Sequence, residues 1–439
     1  MFNHNDKETF MATHPATPAA PPAEAVYRRI GWRIIPFLIL CYFVAYLDRV
    51  NIGFAQLQMK GDLHFSDAVY GLGAGIFFLG YFLFEVPSNL ILHRVGARVW
   101  IARIMITWGL ISALTLFVTT PTQFYVMRFL LGVAEAGFFP GIILYLTYWY
   151  PAARRSQMTA WFMSAVPLSG LIGGPVSGWI LHHFHGQHGW AGWQWLFVLE
   201  GLPAVVLGIV TLFYLDNGIK QAKWLNADEK NALQHALDQE AQTKPAHSAL
   251  QGMADPRVWL MALIYFSVVI GLYGLSFWLP LLIKSTGVTD PLTIGWLVAL
   301  PYGVSVVAMI LVGRSSDKRH ERRWHVAIPA LIGAVGLVLS TLWSTDTTLA
   351  MVALTLATVG IMVVLPLFWA LPNAFLAGTA AAAGIALINA LGNLAGFFGP
   401  SIIGWVKQAT QSTNGGILVL AAFMVLCAVL VLLTPKTQK

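Results

Sequence analysis

Charge is what this chain has least of. Asp, Glu, Lys and Arg make up 10% of its 439 residues, against roughly 25% in soluble domains. Cysteine is almost absent. Cys41 and Cys427 are the two present, in separate apolar runs. That excludes a disulfide framework or a thiolate metal cluster and predicts two free, buried thiols. No phosphate-cradling glycine loop, nucleophile elbow or metal-ligand spacing appears, so neither an enzyme nor a cofactor is expected. The one histidine-rich stretch, His182-His183-Phe184-His185-Gly186-Gln187-His188, has no carboxylate and no fixed geometry, and reads as a solvated loop. The N-terminal residues lack a basic segment, a short apolar core and a cleavage site in that order, so they are no signal peptide. Met1 and Met11 both remain open as the start.

Apolar residues are what is abundant, at 57% of the chain. They fall into runs at about 35–56, 70–92, 99–119, 122–148, 158–182, 195–215, 257–283, 292–313, 325–344, 347–371, 380–406 and 415–434. Each is near the ~20 residues that cross a bilayer as a helix. The pattern predicts an all-α membrane protein of about 12 transmembrane helices in two pseudo-symmetric six-helix bundles. The expected order is a disordered tail over 1–25, a first bundle over 26–215, a linker over 216–256, a second bundle over 257–434 and a short tail over 435–439. Within the linker, Asn226 followed by Glu229 has the spacing of a helix-starting capping box, with the helix running to about Gln242.

Of the 26 Lys and Arg residues, 21 fall on one side if the spans alternate. Lys60, Lys284 and Lys407 fall on the other, and Arg49 and Arg128 lie inside spans. Basic loops stay cytoplasmic, so both termini are expected inside a cell's inner (plasma) membrane, with the chain crossing many times. This bias also explains the net charge of +7 without nucleic acid as a partner; the bilayer is the expected one. No small-residue motif calls for an oligomer, and a monomer is expected.

Against this background the few charges inside spans stand out. Arg128 and Glu135 lie seven residues apart in one run, so they share a helix face with about 10 Å of rise between them. Asp48-Arg49 sits inside the first run. A charge facing lipid costs upward of ~2.5 kcal/mol, so such residues face protein or a watery cavity and mark function by default. Arginine's planar fork matches a carboxylate. A carboxylate that loses its arginine to a substrate in a dry site takes up a proton instead. The set therefore reads as a proton-coupled transporter of organic anions, with a structural ion pair as the alternative. Adjacent helix positions do not share a face, so one of Asp48 and Arg49 lines the cavity while the other pairs with a neighbouring helix. Glu85 and Glu200, nearer span ends, read as partners in interhelical or helix-terminus pairing.

The interiors of spans seven to twelve hold no Asp, Glu, Lys or Arg, so any contribution there is polar or aromatic. Asn389 and Asn393 share a face one turn apart. They fit substrate binding or interhelical hydrogen bonding equally. Tyr46, Tyr81, Trp369 and Asn373 complete the cavity candidates. The halves also repeat each other weakly. Gly174-Pro175-x-x-Gly178-Trp179 in span five matches Gly399-Pro400-x-x-x-Gly404-Trp405 in span eleven, and the basic segment after span two (Arg94, Gly96, Arg98) matches that after span eight (Gly313, Asp317, Lys318). Repeats at corresponding positions suit a transporter whose site lies between two bundles.

At these residues the chain resembles the major facilitator superfamily, whose loop motif is a glycine followed by Asp-Arg/Lys and a basic pair. The second copy fits at Gly313, Asp317 and Lys318, while Asn89 and His93 replace the glycine and aspartate of the first. More narrowly it resembles the anion:cation symporter family and its bacterial tartrate, phthalate and 4-hydroxyphenylacetate permeases. The matching stretches are Tyr46 to Asn51, Phe84 to Asn89, Arg128 to Pro140, Trp195 to Pro203 and Ile388 to Gly396. The resemblance implies proton-coupled uptake of a small carboxylate, with Arg49 and Arg128 binding the anion and Asp48 and Glu135 handling the proton.

Overall fold

In a bilayer every backbone N–H and C=O must be satisfied within the protein, and long apolar runs meet that demand as helices. The computed structural model describes residues 24–243, 254–373 and 378–434. Twelve of its helices are long and apolar enough to cross a membrane: α1 (Glu24–Asp62), α2 (Asp67–Val95), α3 (Ala97–Phe117), α4 (Pro121–Thr147), α5 (Gln157–His183), α6 (Gly192–Tyr214), α7 (Pro256–Ser285), α8 (Pro291–Arg319), α9 (Arg323–Leu342), α10 (Thr347–Pro372), α11 (Ala383–Thr410) and α12 (Asn414–Leu433). Helices α1–α6 pack among themselves, as do α7–α12. An even number of spans brings both ends of the described chain to one end of the bundle; the other is called the far end below. Both cysteines are free and buried.

The helices outrun their apolar cores. The first starts at Glu24 rather than near residue 35, because Arg28, Arg29 and Arg33 extend it into polar surroundings. The basic segments expected as loops are mostly helical too. Arg94 is in the last turn of α2 and Arg98 in the first turn of α3, with Gly96 alone between them at φ +97°. Gly313, Asp317 and Lys318 all lie within α8, where basic residues suit the negative end of the helix dipole. Asp317 pairs with Arg322 at 2.5 Å.

The linker helix, Ala227–Thr243, begins at the expected box: the Glu229 amide donates to Asn226 Oδ1 at 2.8 Å and the Asn226 amide to Glu229 Oε2 at 3.0 Å. It is tied to the first bundle. Arg29 bonds Glu229, and the Arg33 guanidinium lies 5.2 Å from the Tyr214 ring and 5.1 Å from Trp224. Of the tail expected over 1–25, residues 1–23 lie outside the described ones and Glu24 and Ala25 are helical rather than disordered; residues 244–253 of the linker also lie outside the described ones.

The two bundles meet along α5 against α8 and α2 against α11, a symmetric pair of contacts. The repeated glycine patches explain it. A Cβ at Gly174 would lie 2.7 Å from the Gly295 carbonyl, and one at Gly404 would lie 2.6 Å from that of Asp67. Only small residues let the backbones come so close. Polar groups reinforce the far end. Lys407 of the second bundle pairs with Asp67 of the first at 3.2 Å, Lys284 donates to the Leu57 carbonyl at 3.0 Å, and His182 meets Asp290 at 2.8 Å. The histidine stretch is solvated as expected, but His182, in the last turn of α5, also finds a carboxylate from the other half of the chain. Asp290 also caps α8. Its hydrogen bond from the Thr293 hydroxyl, with backbone bonds and His182, holds its carboxyl down at about 2, so this cap stays charged at any pH used for transport. Asp67 joins Lys60 and Lys407. Asp67→Ala should release both and loosen the far end, read as several-fold faster thiol labelling of a cysteine placed beside Lys407; an unchanged rate would show that the glycine contacts alone close it.

Helix α4 is broken. Its first segment ends at Glu135, Gly137 takes φ +85°, and the second segment starts at Phe138. A Cβ at Gly137 would also collide with the Ser88 side chain. Gly137→Val should therefore cost about 1–3 kcal/mol from backbone strain alone, seen as a lower melting temperature in detergent.

Candidate functional site

The break in α4 leaves Glu135 at a helix end in the middle of the bundle, facing α1. There Arg49 Nη2 forms a charge-assisted bond to Glu135 Oε1, while Arg49 Nη1 donates to Tyr273 Oη of α7 at 2.9 Å. One guanidinium thus joins α1 and α4 of the first bundle to α7 of the second. Arg49, Glu135, Asp48 and Arg128 are all buried. The neighbouring aspartate points elsewhere, as adjacent helix positions require: Asp48 Oδ1 accepts from the Ser112 hydroxyl of α3 and from Asn51 Nδ2 at 3.2 Å.

Arg128 is the least satisfied member, with two bare nitrogens against one bare atom each in Asp48, Arg49 and Glu135. Its Nε reaches the Gly73 carbonyl at 3.4 Å, but Nη1 and Nη2 have no hydrogen-bond partner among the described residues. Its acidic neighbours are Asp48 and Glu135. Its guanidinium lies 5.2 Å from the Phe77 ring centroid, and that of Arg49 lies 5.4 Å from the same ring. The two cations therefore flank one aromatic side chain, whose face attracts positive charge. Arg49 is also 5.1 Å from the Tyr81 ring and 5.9 Å from Tyr46, whose hydroxyl is unpartnered. Tyr46 stacks on Tyr273. A buried arginine with two bare nitrogens, beside a second arginine neutralised by a glutamate, is an arrangement that can take an anion.

Four predicted residues thus converge with Tyr46 and Tyr81. The asparagines of α11 do not join them directly. Asn389 Nδ2 donates to Glu85 Oε1 of α2 at 2.9 Å, and Asn393 adjoins the same carboxylate. Of the two pairings expected of it Glu85 forms the interhelical one, and Asn389 takes the interhelical alternative to substrate binding. Trp369 packs on the Tyr265 ring, with centroids 4.9 Å apart. The side chain of Asn373 lies outside the described residues. Glu200 accepts from the Ser177 hydroxyl at 2.6 Å, again an interhelical bond. Sequence reasoning missed Phe77 and Tyr273. Aromatics are common in these helices, and the one local signal was Tyr273 standing between Gly271 and Gly274 in an otherwise apolar run.

A bundle of twelve spanning helices, joined at the centre by buried arginines and carboxylates, defines a membrane transporter, and the comparisons agree. The chain belongs to the Major Facilitator Superfamily, whose family model matches residues 38–400. It is 54% identical to a "Putative tartrate transporter" of Agrobacterium vitis over 94% of this chain and 95% of that one. It is 50% identical to a "Putative metabolite transport protein NicT" of Pseudomonas putida, over the same shares. Among solved structures it resembles a bacterial homologue of the human lysosomal transporter Spinster, with TM-score 0.74 and 17% identity over 93% of this chain and 96% of that one. That likeness is one of fold.

Proposed function

We propose that this transporter takes up a small organic carboxylate together with protons, by alternating access across a bacterial inner membrane with both termini inside. The observation that carries this is Arg128, buried with two bare guanidinium nitrogens next to the Arg49–Glu135 pair. The names of the tartrate relatives support the substrate class. Tartrate, an aromatic acid and a sugar acid all offer the planar carboxylate that an arginine fork matches.

The cycle follows from charge. The anion binds the free nitrogens of Arg128 and competes with Glu135 for Arg49. Glu135, released from its cation in a dry site, takes up a proton, and Asp48 is the second proton site. The loaded centre carries less unpaired charge than a half-loaded one. Moving an unpaired buried charge is costly, so half-loaded forms do not cross. Tyr46, Tyr81, Trp369, Asn373, Asn389 and Asn393 line the path of the substrate, with Asn389 and Asn393 becoming available once Glu85 lets go. The contacts of Gly313, Asp317 and Lys318, and of Arg94, Gly96 and Arg98, belong to the gate at the cytoplasmic end. The protein works as a monomer.

Uptake into proteoliposomes tests this. Tartrate, phthalate, 4-hydroxyphenylacetate and sugar acids are offered with and without an inward proton gradient. One acid accumulating only with the gradient is the expected result. Equal, non-concentrative entry in both conditions would instead make the protein a uniporter, and counterflow indifferent to pH an exchanger.

A further inference from the structure

Lys60, Lys284 and Lys407 are the three basic residues that the sequence sets apart from the other loop cations, and they come from the ends of three helices, α1, α7 and α11. The fold gathers them, all half-buried, at one seam. Lys60 pairs with Asp67 at the start of α2, and Lys407 reaches the same oxygen, Asp67 Oδ1, at 3.2 Å. Lys284 donates to the Leu57 carbonyl at 3.0 Å, one turn before Lys60 on α1. The Lys407 ammonium also lies 5.5 Å from the ring centroid of Trp278 of α7. The Trp278 indole N–H in turn donates to the Pro400 carbonyl of α11 at 3.2 Å. Helices α7 and α11 thus carry Lys284 and Lys407 on one joined wall.

The bonds of these lysines divide unequally between the bundles. Lys60 and Asp67 both belong to the first bundle and stay paired when the bundles part. Lys284 and Lys407 belong to the second, and each takes its acceptor from the first. Neither pairs with a carboxylate of its own bundle among the described residues. Opening the far end therefore strips both at once and leaves two ammoniums facing the gap. A partly desolvated cation that has lost its partner binds an anion strongly. The opposite seam, α5 against α8, is built the other way. Its second-bundle member is an acid, Asp290, and its first-bundle member is His182, so opening there bares no fixed positive charge. Lys284 also stands on the Tyr273 face of α7. The eleven residues between them are three turns with about 20° left over, and about 16 Å of rise. The outer lysine is thus in line with the hydroxyl that Arg49 holds.

We propose that Lys284 and Lys407 form an outer capture site for the substrate carboxylate, filled when the far end is open and taken back by Leu57 and Asp67 when it closes. The anion stands in for the acceptors that the first bundle withdraws. Closure brings those acceptors back, displaces the anion inward along the Tyr273 face of α7, and delivers it to Arg128. This site rests on the reading of the protein as an importer of an organic anion by alternating access.

Entry from outside should depend on these charges, and entry from inside should not. In right-side-out membrane vesicles the double variant Lys284→Gln, Lys407→Gln should show a kcat/KM for the transported acid about tenfold lower at low salt, the low end of what charge steering contributes, with kcat unchanged. At an ionic strength of about 1 M, where screening acts within about 3 Å, the wild type should fall to the level of the variant. In inside-out vesicles the two should match at every salt concentration. Lys284→Arg, which keeps the charge, should behave as the wild type. An equal loss from both sides, insensitive to salt, would make the lysines clamps of the closed far end; an outer kcat/KM as high as the wild type's would mean that they capture nothing. Either overturns the proposal. A second readout needs no transport. Isotope-labelled methyl groups are placed on the lysine amines of Arg128→Gln, whose inner site is disabled, and the protein is titrated with tartrate. The Lys284 and Lys407 resonances, assigned through their Gln variants, should shift with tartrate and ignore threitol, its uncharged counterpart. Resonances that ignore tartrate also overturn the proposal. If the wild type takes up no acid at all, the anion-import reading fails, and these resonances still decide whether the two lysines bind a carboxylate.

Discussion

Arg128→Gln should abolish substrate binding while leaving the empty protein as stable as the wild type, or more so. Its Nη1 and Nη2 have no partner among the described residues, so the substitution puts at risk one long hydrogen bond, from Nε to the Gly73 carbonyl at 3.4 Å, and relieves a buried cation. Arg49→Gln should do the opposite to stability. It leaves Glu135 buried without its cation, and breaking a buried pair by removing one partner costs about 3–5 kcal/mol. Arg128→Lys should weaken binding by about tenfold to a hundredfold, since a point charge replaces a fork that bonds a carboxylate through two nitrogens. Thermal melts paired with ligand titrations separate these outcomes. If Arg128→Gln melts several degrees lower than the wild type, the arginine is a structural ion-pair member and the anion site lies elsewhere.

Glu135→Gln should abolish concentrative uptake and spare exchange of labelled for unlabelled substrate. The amide keeps the shape of the carboxyl and mimics its protonated form, so loaded carriers still cross in both directions. What the variant cannot do is release the proton, and without that step the gradient does no work. Arg49 loses its charged partner at the same time and becomes more available to the anion, so affinity should hold or rise. Counterflow in preloaded proteoliposomes, set beside gradient-driven accumulation, reads both. A variant that still accumulates substrate against its gradient would remove Glu135 from the coupling, and one that no longer binds would make it a substrate ligand.

Much of this was legible because a membrane interior tolerates so little. Twelve apolar runs demand twelve helices. A charge within one demands a reason, and so Asp48, Arg49, Arg128 and Glu135 could be singled out from sequence. Their pairing could not. That Arg49, rather than Arg128, takes Glu135 depends on how α1 is rotated against α4 and on Gly137 ending the helix there. Hydropathy carries neither fact. Phe77 and Tyr273 were hidden among aromatics that pack cores everywhere in such a chain. Asn389 and Asn393 were rightly placed on one face, but the neighbour on that face, Glu85, comes from a span some 300 residues earlier. The glycine patches repeat in the sequence, and the structure supplies their reason: each occupies the close approach between bundles, Gly174 against Gly295 and Gly404 against Asp67 and Gly71.

Proton coupling requires that anion binding draw in a proton. Calorimetric titration of the purified protein with its preferred carboxylate, in two buffers of different ionisation enthalpy, measures this directly. The observed heat should differ between the buffers by the amount due to proton uptake from solution, and the difference should shrink in Glu135→Gln. Identical heats in both buffers, with binding intact, would contradict it.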